Sequence, residues 1–341
     1  MKKLYLIGII TLLLIALLTW GIGPVMAQDG GKNTKIDAPL STEAEGLVYK
    51  IPRGSVIYHL ANGVTEVYGP NNYLLLSAKD SEAKLIPTPS GPARATYVHH
   101  IPSGSRIDHS KGITNVYKDG IRILTVIDYE ENDESPPPTY SGWIESSDDW
   151  SVDAIDYFRA WWDVPSTPPS PGGNVVDYLF NGIVPDTGGK IIQPVLEWNY
   201  AGSSRWTGAA WAVWGTGPND KYRATGINVS TGDTIRGTME WEKNYSGYWN
   251  VQFYDSDTGQ SSSFDTTTIN TDQDLAVFTA LEGFNIEDDG DVPGDTTFDN
   301  MVFQHDSNTV DITWSANVTQ GTGLTGLSVT IYSDNKVKLN T

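Results

Sequence analysis

Ser230-Thr231-Gly232-Asp233-Thr234-Ile235-Arg236-Gly237-Thr238-Met239-Glu240-Trp241 begins as a turn signal and continues as a run alternating between polar and mostly apolar positions. Residues 248–254 make a second aromatic-rich run, and Asp255-Ser256-Asp257-Thr258-Gly259 turns the chain again. Alternation with a period of two marks a half-buried strand, and clusters of Gly, Asp, Ser and Thr mark the turns between strands. Working outward, comparable runs lie at 157–162, 191–198, 209–214, 275–286, 297–303, 310–314 and 327–332. No convincing amphipathic helix separates them. The pattern predicts an all-β fold, an antiparallel β-sandwich of the lectin-like jelly-roll kind. The 34 Gly and 19 Pro agree with short strands and many turns.

The N-terminal part reads differently. Lys2 and Lys3 precede an apolar run, and Val25-Met26-Ala27 gives a small-residue exit, so 1–27 reads as a secretory signal. Retained, the same stretch is long enough to anchor the chain in a bilayer, the only membrane contact expected. Either way the protein is expected to act outside the cytoplasm, secreted or tethered by its N-terminus. Residues 28–46 read as a disordered leader. Residues 47–127 carry a repeat: Ile51-Pro52-Arg53-Gly54-Ser55-Val56-Ile57-Tyr58-His59 matches Ile101-Pro102-Ser103-Gly104-Ser105-Arg106-Ile107-Asp108-His109. Gly63-Val64-Thr65-Glu66-Val67-Tyr68 likewise matches Gly112-Ile113-Thr114-Asn115-Val116-Tyr117. Each copy predicts a β-hairpin, and two copies packed together bury what one cannot. The acidic, Pro-rich stretch 128–142 reads as a linker, leaving 143–341 for the sandwich.

Charge separates the two parts. The chain carries 42 acids and 22 bases, a net of −20. Residues 132–341 hold 9 Lys/Arg against 30 Asp/Glu, a net of −21, whereas 32–131 is neutral. Such a surface excludes a nucleic-acid partner, which needs clustered bases. With no Cys, disulfides and thiolate chemistry are excluded as well.

His59, His99, His100 and His109 fall in the repeat region, where convergence of the repeat-equivalent His59 and His109 would suggest a metal pair. The plainer reading is polar strand residues, and a third is a pH sensor. His305 alone serves the acidic part, which leaves a Ser–His–acid triad poorly supplied. The Asp-rich stretches 255–257 and 287–291 read as solvated turns or calcium loops, without the EF-hand spacing. More informative is Ile191-Ile192-Gln193-Pro194-Val195-Leu196-Glu197-Trp198, where strand alternation puts Gln193 and Glu197 on one face. In Ala276-Val277-Phe278-Thr279-Ala280-Leu281-Glu282-Gly283-Phe284, Glu282 shares its face with Ala280 and Phe278. A carboxyl among such neighbours loses solvation and gains the raised pKa of a general acid or base. A strand-end Glu turned to solvent beside Gly283 is the alternative.

These two segments resemble the glutamic peptidases (eqolisins), β-sandwich acid endopeptidases with a Gln–Glu catalytic pair. The resemblance spans about 141–341 and extends to Val164-Pro165, Gly182-Ile183, Ala210-Trp211 with Trp214, Gly226-Ile227-Asn228-Val229-Ser230 and Val292-Pro293. It implies that Gln193 and Glu282 are catalytic, that Phe180, Glu197, Trp198, Trp211 and Trp214 grip a polypeptide substrate, and that neither cofactor nor metal takes part. It also implies an N-terminal pro-region, while the repeat region reads equally as a permanent spacer or wall-binding module. Phe180 stands where the family usually has Trp, Val213 where it has Glu, and Asn285 where it has an acid. From other classes, a lectin-like sandwich binding carbohydrate or cell-surface polymer fits the same aromatics and acids, and a surface-layer component fits the sequons at Asn228, Asn244 and Asn317.

Overall fold

Period-two runs become strands here because each finds a layer to bury its apolar side. The computed structural model describes residues 50–89, 91–110, 112–128, 141–152, 154–185, 190–214, 220–242, 247–267, 275–319 and 324–341. The expected signal segment 1–27, the leader 28–46, most of the linker (129–140) and Asn244 lie outside the described residues. Among the described residues the regular elements are strands and three single 3-10 turns, so the chain is all-β.

Each copy of the repeat is a hairpin with a third strand added. The first comprises β1 (Ser55–Leu60), β2 (Val64–Tyr68) and β3 (Leu74–Lys79), and the second β7 (Ser105–Ser110), β8 (Ile113–Lys118) and β9 (Ile121–Asp128). The copies join because β1 runs parallel to β9. Between them lie the short pair β4 (Leu85–Ile86) and β5 (Ala93–Arg94), then β6 (Val98–Ile101). The rest of the chain supplies β10 (Ser141–Val152), β11 (Tyr157–Asp163), β12 (Val176–Pro185), β13 (Lys190–Trp198), β14 (Trp206–Trp214), β15 (Lys221–Ala224), β16 (Ile227–Asn228) and β17 (Thr234–Glu242). It continues through β18 (Tyr248–Asp255), β19 (Ser261–Thr266), β20 (Leu275–Phe284), β21 (Thr296–His305), β22 (Asn308–Thr309), β23 (Ser315–Val318), β24 (Ser328–Ser333) and β25 (Lys336–Asn340).

Two sheets result. The front sheet runs β24-β25-β21-β11-β17-β18-β19 and continues through β7-β8-β9-β1-β2-β3; the back sheet runs β23-β10-β20-β12-β13-β14-β15-β6. The repeat region thus extends both layers, β7 pairing in parallel with β19 and β6 in parallel with β15. Between the layers lies the main core. Phe158, Trp162, Ile235, Met239, Val251 and Phe253 of the front sheet share it with Leu179, Ile183, Ile192, Leu196, Val277 and Leu281 of the back.

A second apolar cluster, including Tyr178, Phe180, Val195, Trp211, Phe278 and Ala280, lies on the other face of the back sheet. Ile86, Ala93 and Val98 of the repeat region pack into it. For that reason β20 is buried from Leu275 to Gly283 without alternation. Gly182 lets this face close: a Cβ there would stand 2.3 Å from the Phe278 ring.

Two local expectations differ from the structure. Residues 310–314, expected as a strand, make no ladder. Ile312 and Trp314 are buried alternately, but Thr313 N–H donates to Asp149 Oδ2 at 2.7 Å and Trp314 Nε1 to Asp334 O at 2.8 Å. The polar run of β10 carries no strand signal, yet it pairs with β20. Buried polar partners replace apolar ones there: Ser147 meets Thr279 at 2.9 Å and Asp148 accepts from Asn317 at 2.7 Å.

Candidate active site

Alternation decides which side chains reach the outer face of the back sheet. On β13, Gln193, Val195 and Glu197 face outward, while Ile192, Leu196 and Trp198 enter the main core. On β20, Phe278, Ala280 and Glu282 face outward. Between these strands β12 contributes Phe180 and Tyr178, and Tyr178 is the register partner of both Glu197 and Glu282.

Gln193 and Glu282 meet the same short segment of backbone. Gln193 is fully buried and its Nε2 donates to Pro89 O at 2.9 Å. The Gly91 N–H, which closes a turn on Thr88 O at 2.9 Å, also faces the Glu282 carboxyl and favours its charged form. Burial outweighs that single donor and pushes Glu282 up to about 8. Gln193 Oε1 and Glu282 Oε2 have no hydrogen-bond partner among the described residues. The pair therefore combines an amide donor, already used on a peptide carbonyl, with a carboxyl that holds its proton at neutral pH.

Glu197 sits in the opposite condition. Its carboxylate accepts from Arg223 Nε at 2.9 Å and Nη2 at 2.6 Å, from Trp211 Nε1 at 2.6 Å and from Thr207 Oγ1 at 2.7 Å. The Arg223 guanidinium lies 4.3 Å over the Tyr200 ring, and Glu197 holds it charged, well above its ordinary pKa. A buried bidentate pair of this kind is fixed scaffolding.

The aromatic residues expected to grip substrate divide. Phe180 and Trp211 lie on the outer face, Phe180 against Trp143 and Phe278. Trp198 is not brought to this face; it packs in the main core with its ring 5.5 Å from Trp206. Trp214 ends β14, and its side chain lies outside the described residues. Tyr178, Arg223, Trp143 and the 88–91 turn were missed from sequence. For Tyr178 the same alternation that exposes Phe180 was the available signal; for the turn it was the Pro87-Thr88-Pro89-Ser90-Gly91-Pro92 punctuation.

Elsewhere, His305 lies half-exposed, 3.6 Å from Asp306 and 3.8 Å from Asp156. In both Asp-rich loops a carboxylate is committed to local donors: Asp291 accepts from the Gly172, Glu287 and Asp288 N–H groups, and Asp255 from those of Asp257 and Thr258. The repeat-region histidines do not titrate as one set. Burial, aided by Arg223, pushes His100 down to about 3, and burial with Lys190 lowers His109.

No protein-family model and no curated protein matches this chain. Among solved structures it is similar to scytalido-glutamic peptidase bound to a transition-state analog inhibitor, at 20% identity and a TM-score of 0.42, over 59% of this chain and 98% of that one. It is similar also to SCP-B, a member of the eqolisin family in complex with the tripeptide Ala-Ile-His, at 18% identity and a TM-score of 0.42, over 59% and 99%. A CBM2 module of the evolved Dit of Lactobacillus casei BL23 phage J-1 follows at 13% identity and a TM-score of 0.28, over 55% and 74%.

Proposed function

We propose that this protein is a secreted glutamic-type endopeptidase, with Gln193 and Glu282 as its catalytic pair, made in a latent form by its own N-terminal region. One observation carries the reading: Gln193 and Glu282 engage a carbonyl and an N–H two residues apart in one peptide segment. An amide that donates to a main-chain carbonyl is placed to stabilise an oxyanion. With the segment gone and Glu282 ionised, Glu282 takes a proton from a water that attacks the scissile carbonyl. Gln193 Nε2–H donates to the oxygen as it gains charge. Glu282 then passes the same proton to the leaving amine, so the cycle closes with no net proton change.

Thr88–Gly91 blocks this chemistry by its shape. It is a turn, closed by Gly91 N–H on Thr88 O, whereas a cleavable chain must lie extended along the face. Pro87, Pro89 and Pro92 restrict the backbone around it. Ala93 and Val98 add apolar contact on either side of the following turn. The region 47–127 then acts as a pro-region, and a cut in 128–142 frees it. The lectin-like reading lacks an aromatic platform in this form, because Phe180 and Trp211 are fully buried.

The test is proteolysis of an unstructured protein from pH 2 to 8 by the full chain, before and after cutting in 128–142, beside the Glu282→Gln variant. Activity that rises on cutting and is lost in the variant supports the proposal. Equal cleavage by the variant, or an inert protein once residues up to 128 are removed, refutes it.

A further inference from the structure

A buried polar cluster at the seam between the repeat region and the sandwich takes no part in the chemistry above. His59 of β1, His99 of β6 and Asp220, just before β15, are 3%, 6% and 4% exposed. Asp220 Oδ1 lies 3.0 Å from His59 Nε2 and 2.8 Å from His99 Nε2, and the three atoms fall within 4.8 Å of one another. Asp128 is the parallel register partner of His59, on the same face, and its carboxyl is within hydrogen-bonding reach of Asp220.

Hydrogen bonding fixes the state of the His59 ring. Thr65 donates its one proton to Asp80 Oδ1 at 2.6 Å, so the Thr65 oxygen must accept from His59 Nδ1–H, 2.8 Å away. Nε2 is then the ring nitrogen that faces the Asp220 carboxylate. The contact lies outside hydrogen-bond geometry, and Nε2 has no hydrogen-bond partner among the described residues. A buried carboxylate oxygen set between two ring nitrogens, one of them outside hydrogen-bond geometry, needs a positive centre to balance its charge, which a proton or a bound cation supplies.

We propose that His59 Nε2, His99 Nε2 and Asp220 Oδ1 form a structural site for a divalent first-row cation, Zn2+ by preference, with water as the fourth ligand. Two imidazoles and a carboxylate suit zinc. Tetrahedral zinc, with bonds of about 2.0–2.1 Å, sets its ligand atoms about 3.3 Å apart. The two Asp220–histidine separations need to open only by a few tenths of an ångström. The surrounding partners are those a metal histidine needs: Asp80 orients His59 through Thr65 and is itself held by Tyr97 Oη at 3.0 Å. Tyr222 Oη donates to the other Asp220 oxygen at 3.2 Å. In the second repeat copy, His109 Nδ1 also meets a threonine, Thr114, at 2.8 Å, but His59 rather than His109 joins the cluster. The ion would bind β1, β6 and the start of β15 together at the edge of the back sheet.

The full chain, stripped with a chelator and dialysed, is titrated with Zn2+ alone by calorimetry and with Co2+ by visible absorption. One equivalent bound at micromolar concentration or tighter is expected, with a tetrahedral Co2+ band and a rise in Tm on adding Zn2+. His99→Gln and Asp220→Asn are expected to weaken binding at least about 100-fold, while His109→Gln leaves it unchanged. Wild-type protein that takes up no ion, or shows only an octahedral Co2+ spectrum, overturns the proposal, leaving a protonated histidine–aspartate network. Should the variants fail to fold, the wild-type stoichiometry and spectrum decide alone.

Discussion

Two glutamates on one face of one sheet, linked in register through Tyr178, are equally buried and have opposite surroundings. Glu197 is saturated by Arg223, Trp211 and Thr207. Glu282 has a single backbone donor, no cation on it and one oxygen without a partner. Burial alone therefore does not mark a chemical group; here unmet hydrogen-bonding capacity beside an amide already donating to a peptide carbonyl does. A carboxylate held by four donors is a structural tie, while Glu282, raised by burial and with a bare oxygen, can exchange a proton.

The largest expected effect falls on activity. Glu282→Gln should lower proteolysis by about 10²–10⁴-fold, the usual scale for losing a general acid–base, with the fold intact by circular dichroism. The matching change at Glu197 should act on stability instead. Glu197→Ala leaves Arg223 charged and buried without its partner, and denaturant titration should show a loss of about 3–5 kcal/mol. If Glu282→Gln proved the destabilising change and Glu197→Ala the inactivating one, the contrast would be reversed.

Stability against pH sharpens the comparison. Burial pushes both Glu282 and Glu145 up to about 8 and raises Asp177 well above its ordinary value. Between about pH 4.5 and 8 the folded chain keeps protons that the unfolded chain has released, so stability is greatest at the acidic end and falls as pH rises. Tm should be higher at pH 5 than at pH 8 by on the order of several degrees. Glu282→Gln should flatten part of that slope, and a slope of the opposite sign would contradict the buried-acid account. The smallest effect is expected at Gly91, whose φ of 99° an L side chain rarely adopts. Gly91→Ala should loosen the turn over the pair and raise the uncut chain's activity a few-fold, measured against the cut enzyme.

Sequence revealed what depends on alternation. Gln193 and Glu282 could be placed on strand faces because neighbouring residues have a period of two. Trp198 was drawn into the substrate group by resemblance, although alternation already set it opposite Glu197. The turn over the pair was hidden for a different reason: Pro89 reaches Gln193 across 104 residues, and a Pro/Gly-rich stretch looks the same whether it lies in solvent or over a buried polar pair. His59 was paired in expectation with its repeat equivalent, but strand order brings it to His99 and Asp220. Repeat symmetry predicts local hairpins, not which strands become neighbours afterwards.

The parallel joints β6–β15 and β7–β19 set a condition on the proposed release of the N-terminal region. Each is a seam of main-chain hydrogen bonds, and parting them uncovers two unpaired strand edges. One edge is the four-residue Lys221–Ala224, with its two cationic residues; the other is the serine-rich Ser261–Thr266. Short, charged or polar edges are poor templates for uncontrolled stacking of copies. The acidic surface of 132–341 opposes such stacking further, by mutual repulsion, where those carboxylates are ionised. Under the proposed maturation, the freed sandwich would therefore be most aggregation-prone where acid neutralises that surface, and solubility rather than the proposed pair would limit how far into acid it could work.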